Sequence, residues 1–230
     1  NLKTIFHKSN LNLKKILIKS FLKGANISNG FKNKKTFFQI KINEKNSKIF
    51  YFENNSLKFE QNFEFGTNII INDISKVTSL KTDTVKLILN EVDLRNDISE
   101  NELIKKELFA DNAYRKIKEK LIYNIAMARI QEIIELMIVK NINFSHYNKG
   151  SNDVFFEIDP KSQLKNLEET FKSIFSMCKN NNLIIIESLA SESLINTANK
   201  IVHFGWKNEA IPIPQFKKSI IARFFDTIFG

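Results

Sequence analysis

The chain has 230 residues, 43% of them hydrophobic, which is enough for one sizeable core or two modest ones. Its 21 Phe exclude an intrinsically disordered chain, while 6 Gly and 3 Pro exclude collagen-like and linker classes. The net charge of +10 fits a solvated basic surface, or attraction to a polyanion such as nucleic acid or an anionic membrane leaflet.

Motifs of several functional classes are missing from the sequence. It contains no RNP signature, zinc finger or Arg-rich recognition helix, so we expect no nucleic acid partner. His7, His146 and His203 are far apart in the sequence, so we expect them to be surface residues and expect no metal site.

The single cysteine, Cys178, falls on an apolar helix face, and we expect it to be buried in a protein of a reducing compartment. Apolar runs such as 183–186 are much shorter than the ~20 residues that span a membrane, and we expect no secretory signal.

The first part of the chain predicts a short helix, then strands. Residues 1–9 have a helical apolar pattern and 15–19 read as a strand, while Gly24 and Gly30 bracket a predicted turn region.

Three strands are predicted next, at 36–42, 48–52 and 57–65. In the third strand a mainly aromatic set, Leu57, Phe59, Gln61, Phe63 and Phe65, alternates with polar residues, which places its aromatic side chains on one face. Asn54-Asn55 is a plausible tight turn, since Asn tolerates positive φ. The unit is therefore predicted to be a three-stranded antiparallel meander.

Helices are predicted beyond Gly66. The first two cover 68–78 and 82–89, while 93–109 shows no clean period and is predicted to be a loop or a poorly packed insertion. A long helix is predicted over 111–141, capped by Asp111 or Asn112. One apolar stripe is predicted along this helix. It consists of Ile117, Leu121, Ile125 and Ala128, and it is continued by Ile130, Ile134, Met137 and Ile138.

The last third alternates strand and helix, a pattern typical of α/β proteins. Strands are predicted at 154–158 and 183–186, and helices at 163–178 and 191–204. Residues 211–216 contain two prolines and are predicted to be a linker.

The final segment, 217–230, is predicted to be a basic amphipathic helix. Six apolar residues share one half of its circumference: Ile220, Ile221, Phe224, Phe225, Ile228 and Phe229. Its basic residues are Lys217, Lys218 and Arg223. This pattern matches a helix that lies in the headgroup plane of an anionic membrane. The alternative is a last helix docked on the protein's own core.

No base, nucleophile and orienting group come together in the sequence, so we expect no catalytic residues. An ordered set of segments instead resembles the later part of FtsA, the bacterial actin-like cell-division protein. The matching segments are 1–28, 36–65, 66–74, 82–86, 128–136, 196–202 and the tail 217–230.

The resemblance implies an α/β, actin-like (ribonuclease H-like) ATPase fold, present in part. It places the end of the first actin-like domain at 1–30 and the second domain at 31–210, with a subdomain inserted around 80–150. The linker 211–216 and the membrane-targeting helix 217–230 follow. The family's first phosphate loop would lie upstream of Asn1.

The resemblance also has implications for nucleotide binding. Asp83 and Lys86 match the family's ribose-contacting pair, with Asp in place of Glu. Residues 39–44 replace the glycine-containing second phosphate loop, and Asp159-Pro160 replaces a Gly-Gly pair; Pro cannot donate an amide hydrogen bond. We therefore expect no ATP hydrolysis and assign no cofactor. The alternative is a functional actin-like ATPase that uses ATP with magnesium.

For partners, Arg129 and Glu132 match the helix that receives the acidic tail of FtsZ, the tubulin-like division protein. The resemblance implies a peripheral protein on the cytoplasmic face of the membrane at the division site, which tethers FtsZ filaments to anionic lipid and self-associates into actin-like filaments. The plain alternative for Arg129 and Glu132 is an exposed i, i+3 ion pair. Another actin-like adaptor, such as a pilus-assembly scaffold, is the alternative for the whole chain.

Overall fold

The computed structural model describes residues 2–204 apart from 14–15, 32–33, 93, 95–100, 110–111, 149, 151, 161–163 and 180. The predicted linker 211–216 and helix 217–230 lie outside the described residues, so they stay predictions. Among the described residues, no helix has both the length and the apolar character needed to cross a membrane.

The chain divides into two compact units. Unit 1 comprises Asn1–Lys35, Phe52–Leu57 and Leu189–Gly230, and unit 2 comprises Thr36–Tyr51 and Lys58–Ser188. The domain boundaries predicted near 30 and 210 stay predictions.

Helices and strands follow one another along the chain in a mixed α/β order. The helices are α1 (Leu2–Lys8), α2 (Lys19–Gly30), α3 (Asn68–Thr78), α4 (Thr82–Glu91), α5 (Glu119–Ile134), α6 (Ile142–Tyr147), α7 (Leu167–Cys178) and α8 (Ser191–Phe204). The strands are β1 (Phe37–Ile42), β2 (Ser47–Glu53), β3 (Ser56–Phe63), β4 (Val154–Ile158) and β5 (Leu183–Ile185).

The five strands form one sheet in the order β3-β2-β1-β4-β5. β4 is parallel to both of its neighbours; Phe38 is opposite Val154, and Val154 is opposite Leu183. The connections between β1, β2 and β3 are too short for a parallel crossover, so these strands form the predicted antiparallel meander. Asn54 and Asn55 form the predicted tight turn, with φ of 50° and 65°.

In unit 2, one face of β1 and β4 forms the floor of the main hydrophobic core. Alternate residues of the two strands point to the helices, because side chains in a strand alternate between faces. The core residues from these strands are Phe38, Ile40, Ile42, Val154, Phe156 and Ile158. The opposite set, which includes Gln39 and Glu157, is also buried, so polar groups on this face must find partners inside the protein.

In unit 1, α2 and α8 are joined by side-chain hydrogen bonds. The Asn26 amide nitrogen donates to the hydroxyls of Ser193 and Thr197, both at 3.0 Å. Gly24 lets the Phe52 ring approach, because a Cβ at this position would lie 2.1 Å from a ring carbon. The Asn26 hydrogen bonds therefore hold α2 against α8, and the Phe52 ring of β2 packs closely on α2.

Two predictions for the beginning of the chain are wrong. Residues 16–18 form no strand, and helix α2 begins at Lys19. Gly24 and Gly30 lie within α2 rather than beside a turn. The strand interpretation fails because Ile16 and Ile18 are 63% and 65% exposed and so bury no sheet face.

The predicted long helix over 111–141 is shorter and interrupted. Helix α5 begins at Glu119, with Lys118 rather than Asp111 or Asn112 as its N-cap residue. A π-helical turn, Glu135–Val139, follows α5, and α6 comes next.

The segment predicted to be poorly packed is well packed where it is described. Leu94, Ile104 and Phe109 are each 1% exposed, and Ile104 donates its N–H to the carbonyl of Ile117. A short 3-10 helix, Lys106–Phe109, completes this segment.

Candidate functional site

The carboxyl ends of the parallel strands β1, β4 and β5 meet at one edge of the sheet in unit 2. Open α/β sheets place their ligands at this edge, outside the ends of the strands. The Asp159 N–H donates to the Ile42 carbonyl (2.9 Å), and the Ile186 N–H to the Phe156 carbonyl (2.8 Å). These bonds extend the ladder just past the strands and position the polar residues that follow.

Glu157 is the centre of a buried polar cluster at this edge. Its side chain is 0% exposed and accepts from the Gln39 amide at 3.1 Å and from the Ser188 hydroxyl at 3.0 Å. The Lys41 ammonium lies 3.1 Å from the same carboxylate and 4.0 Å from that of Asp159. The Gln39 amide oxygen is buried without a hydrogen-bond partner. A lysine therefore supplies positive charge at the ends of β1 and β4.

The turn after β1 is anchored to the start of α3. The carbonyls of Asn43 and Glu44 accept from the N–H groups of Thr67 (3.0 Å) and Asn68 (2.9 Å), and the Asn43 N–H donates to the Asn46 carbonyl. Gly66 allows this approach, since a Cβ there would lie 2.1 Å from the Asn43 oxygen. Phosphate loops aim successive N–H groups at an anion. The Asn43 N–H and both carbonyls are instead used within the protein, which does not fit a phosphate cradle.

The predicted nucleotide pair lies beside this turn, on α4. Asp83 and Lys86 are both exposed. The Lys86 ammonium is 3.8 Å from the Glu44 carboxylate, across to the β1–β2 turn. Lys41 and Lys86 are thus both opposed by carboxylates, which reduces the attraction of this edge for phosphate.

The predicted partner-binding residues lie on α5 and are ion-paired. Arg129 donates through Nε to Asp73 of α3, at 2.5 Å, and through a terminal nitrogen to Glu132, at 2.6 Å. The predicted i, i+3 pair is therefore present, and a third residue joins it. The side chains of Arg129 and Asp73 are 25% and 21% exposed, whereas that of Glu132 is 48% exposed.

The remaining candidates divide between described and undescribed residues. The three histidines are exposed, as predicted, and among the described residues no group of three potential ligands could hold a metal. Cys178 is exposed, so the prediction that it is buried is wrong. It lies at the end of α7, beyond the part of the helix that packs on the core. The predicted membrane-binding residues of 217–230 lie outside the described residues.

Sequence reasoning missed Glu157 and Ser188. A carboxylate within the apolar strand Val154–Ile158 is a signal, because a buried charge requires a partner. The partner could not be named, since Gln39 and Lys41 reach Glu157 only through the parallel pairing of strands that are far apart in sequence.

Comparison with known proteins identifies similar folds among solved structures. No family model and no curated protein matches the sequence. Among solved structures, the chain is similar to MreB5 of Spiroplasma citri bound to AMPPNP, with a TM-score of 0.51 and 17% identity over 88% of this chain and 63% of that one. The same protein bound to ADP gives a TM-score of 0.51 and 13% identity over 90% and 65%.

The fold is therefore actin-like, as predicted, and this chain covers part of it. The described chain spans just under two thirds of the length of these MreB5 structures.

Proposed function

We propose that this chain is an FtsA-like cell-division protein that tethers FtsZ filaments to the cytoplasmic face of the membrane at the division site, without hydrolysing ATP. The observation that carries the proposal is the basic amphipathic pattern of 217–230, which follows the proline-containing residues 211–216. The actin-like fold supports it at the level of architecture.

The anchor works by combining burial with charge. The apolar residues of 217–230 enter the headgroup boundary, where each buried methylene contributes about 0.8 kcal/mol. Each of Lys217, Lys218 and Arg223 adds about 1 kcal/mol near an anionic leaflet. A single such helix binds reversibly, so several copies on one filament give firm attachment.

Co-sedimentation with vesicles tests the anchor. The full chain should pellet with vesicles that contain phosphatidylglycerol, and Phe224→Asp with Phe225→Asp should abolish this. Asp226→Asn, on the polar face of the same segment, is the matched control and should pellet at least as well as the native chain. Equal pelleting of the native chain and the double variant would overturn the proposal.

FtsZ engages the surface around Arg129 in this proposal. Glu132 is more exposed than Asp73, so an acidic peptide displaces the Glu132 carboxylate while the bond to Asp73 persists. Leu121 of α5 and Leu136 of the π-helical turn that follows it are 42% and 44% exposed and add apolar contact for the same peptide.

This arrangement gives opposite expectations for two neighbouring residues. Glu132→Gln removes the competing carboxylate and should tighten binding of an FtsZ tail peptide, whereas Arg129→Gln should weaken it several-fold. Fluorescence anisotropy with a labelled peptide measures both. Unchanged affinity in both variants would exclude this surface as the binding site of the FtsZ tail.

A nucleotide-binding actin-like protein is the second candidate, because the similar MreB5 structures hold AMPPNP and ADP. Asp83 and Lys86 would contact the ribose. Against it stand the ion pair of Lys41 with Glu157 and the use of the turn carbonyls by α3. Titration with ATP and magnesium separates the candidates: we expect no tight binding, and tight magnesium-dependent binding would favour the second. Self-association into filaments remains a prediction for either candidate.

A further inference from the structure

Strand β3 lies at one end of the sheet order, so among the described residues no strand pairs with its outer side. Its eight residues, Ser56–Phe63, exceed the usual strand length of about five or six. On the open side of an antiparallel edge strand, every second residue leaves its backbone N–H and C=O unpaired. Such an edge can pair with an added strand, and from Lys58 onward it belongs to unit 2.

Two charged side chains of this edge have no ion-pair partner among the described residues. Lys58 lies near the start of β3, and Glu64 follows directly after its last residue; both are exposed. They cannot meet within one chain, because six residues of extended backbone span about 20 Å. Glu60, between them, is instead held by the Lys48 ammonium of β2 at 3.0 Å.

The hairpin that contains β3 is electrically balanced, although the whole chain carries a net charge of +10. Residues 45–64 contain three lysines and three glutamates, which are Lys45, Lys48, Lys58, Glu53, Glu60 and Glu64. The two outermost of the other charges, Lys45 and Glu53, are exposed and form no ion pair with a described residue. No net charge of the hairpin therefore opposes the approach of a second hairpin of the same kind.

The middle of the edge is marked by Gln61 and an exposed apolar neighbour. The Gln61 amide oxygen accepts from the side-chain amides of Asn141 at 3.1 Å and Asn143 at 3.3 Å, which holds the start of α6 against β3. Ile142, between these two asparagines, is 83% exposed. A large apolar side chain therefore faces water beside the middle of β3, where burial against a partner is favourable.

We propose that β3 pairs antiparallel with β3 of a second copy of this chain, about a two-fold axis at Gln61. In this register Lys58 lies opposite Glu64 of the second copy, and Phe59 lies opposite Phe63, so each pair occurs twice. Directly opposed side chains are about 4.5–5.5 Å apart, and opposite charges and aromatic pairs stabilise such a ladder. Ile142 of each copy lies beside the axis and is covered by the other.

Other registers that keep the same faces together pair the charges less well. An axis at Glu60 places that carboxylate opposite itself, and an axis at Asn62 places Glu60 opposite Glu64; both arrangements are repulsive. An axis at Phe59 pairs Lys58 with Glu60 and leaves Glu64 without a partner. A slip by one residue brings the apolar face of one strand beside the polar face of the other. The axis at Gln61 is therefore the register that the charges favour.

This dimer does not rest on the proposed function, since it uses neither the membrane segment nor the surface around Arg129. A two-fold contact presents the same patch from both copies and closes with two chains, whereas a filament needs a contact that stays open. The β3 pair is therefore a separate contact from the one that a filament would use.

Exchange of the two charges tests the proposal in the full chain. Lys58→Glu and Glu64→Lys each place like charges opposite one another, so each should raise the dissociation constant of the dimer about tenfold in sedimentation equilibrium. The double variant, Lys58→Glu with Glu64→Lys, restores opposite charges and should return to the native value.

The two single variants control for total charge, because the first lowers the net charge from +10 to +8 and the second raises it to +12. An effect of total charge would shift the two dissociation constants in opposite directions. Such opposite shifts, or a double variant that does not recover, would overturn the proposal. A native chain that keeps its single-chain mass of 26.8 kDa at the highest soluble concentration would also overturn it.

A disulfide tests the register independently. Gln61→Cys, combined with Cys178→Ser, places two thiols opposite each other at the axis, close to the separation that a disulfide needs. Mild oxidation should therefore link two chains, as seen on a non-reducing gel. The native chain, whose Cys178 is exposed on α7, is the control and should stay single. Equal linking in the two chains, or none in the Gln61→Cys variant, would overturn the proposed pairing.

Discussion

Glu157 carries a charge within a strand whose other residues are apolar, and three side chains stabilise it. Removal of Glu157 leaves Lys41 with only the more distant Asp159 carboxylate and leaves the buried Gln39 amide without its acceptor. Loss of one member of a buried ion pair costs about 3–5 kcal/mol. Glu157→Ala should lower the free energy of unfolding by about this amount in urea titrations.

The exposed pair on the neighbouring strands provides the control for this prediction. Lys48 and Glu60 lie 3.0 Å apart with side chains about one third exposed. Glu60→Ala should cost less than about 1 kcal/mol, because water screens the pair. Similar losses in Glu157→Ala and Glu60→Ala would show that the buried carboxylate has no special role.

Gly66 gives a second prediction at the scale of a residue. The carbonyls of the β1–β2 turn lie where a Cβ would be, and they are backbone atoms that cannot rotate away. Gly66→Ala should therefore cost about 1–3 kcal/mol, measured as a fall in the urea midpoint. Gly150→Ala, with nothing within 4 Å of the added carbon, should be neutral. Equal effects at the two glycines would refute this account of the turn.

Helix α5 shows where prediction from sequence reaches its limit at the scale of an element. Ile130 and Ile134, and Met137 of the π-helical turn that follows, are buried as predicted, whereas Leu121, from the first part of the predicted stripe, is 42% exposed. The helix has apolar residues on two sides, and periodicity alone does not say which side meets the core.

Strands with local partners were easier to predict. The meander follows from alternation and short turns, so the bounds of its strands were predicted to within two residues. The cluster around Glu157 depends on pairing between distant strands, which no local pattern encodes. The ion pairs of Lys86 with Glu44 and of Lys41 with Glu157 could not be predicted from the sequence, because their members are also far apart along the chain.

The first turn of α7 gives a pH-dependent prediction. The pKa of Glu168 is raised by burial and then by Glu169 and Glu187, so the folded protein binds this proton more tightly than the unfolded chain. Its carboxylate therefore reduces stability as pH rises through the interval between the unfolded pKa and the raised folded pKa. Glu168→Gln should increase the urea midpoint at pH 7 and leave it unchanged at pH 3.

Glu192 provides a matched acid in the first turn of α8. Glu192→Gln should give no gain at pH 7, because a helix N-terminus favours negative charge. A gain in both variants would point to the total charge of the protein rather than to the cluster around Glu168.

The charge of the whole molecule gives a prediction for membrane binding. A net charge of +10 adds long-range attraction to an anionic surface, and salt screens it over a Debye length of about 10 Å at 0.1 M and 3 Å at 1 M. Raising NaCl from about 0.05 to 0.5 M should reduce vesicle binding several-fold. Salt-independent pelleting would mean that apolar insertion alone holds the protein on the bilayer.

The parallel pairing of β1 with β4 has a consequence for biosynthesis. The two strands are separated by about 110 residues, so β1 leaves the ribosome long before its neighbour exists. At about 5–20 residues per second, that interval is on the order of ten seconds. Phe37 and Phe38, both fully buried in the finished sheet, remain open to chaperones throughout that time.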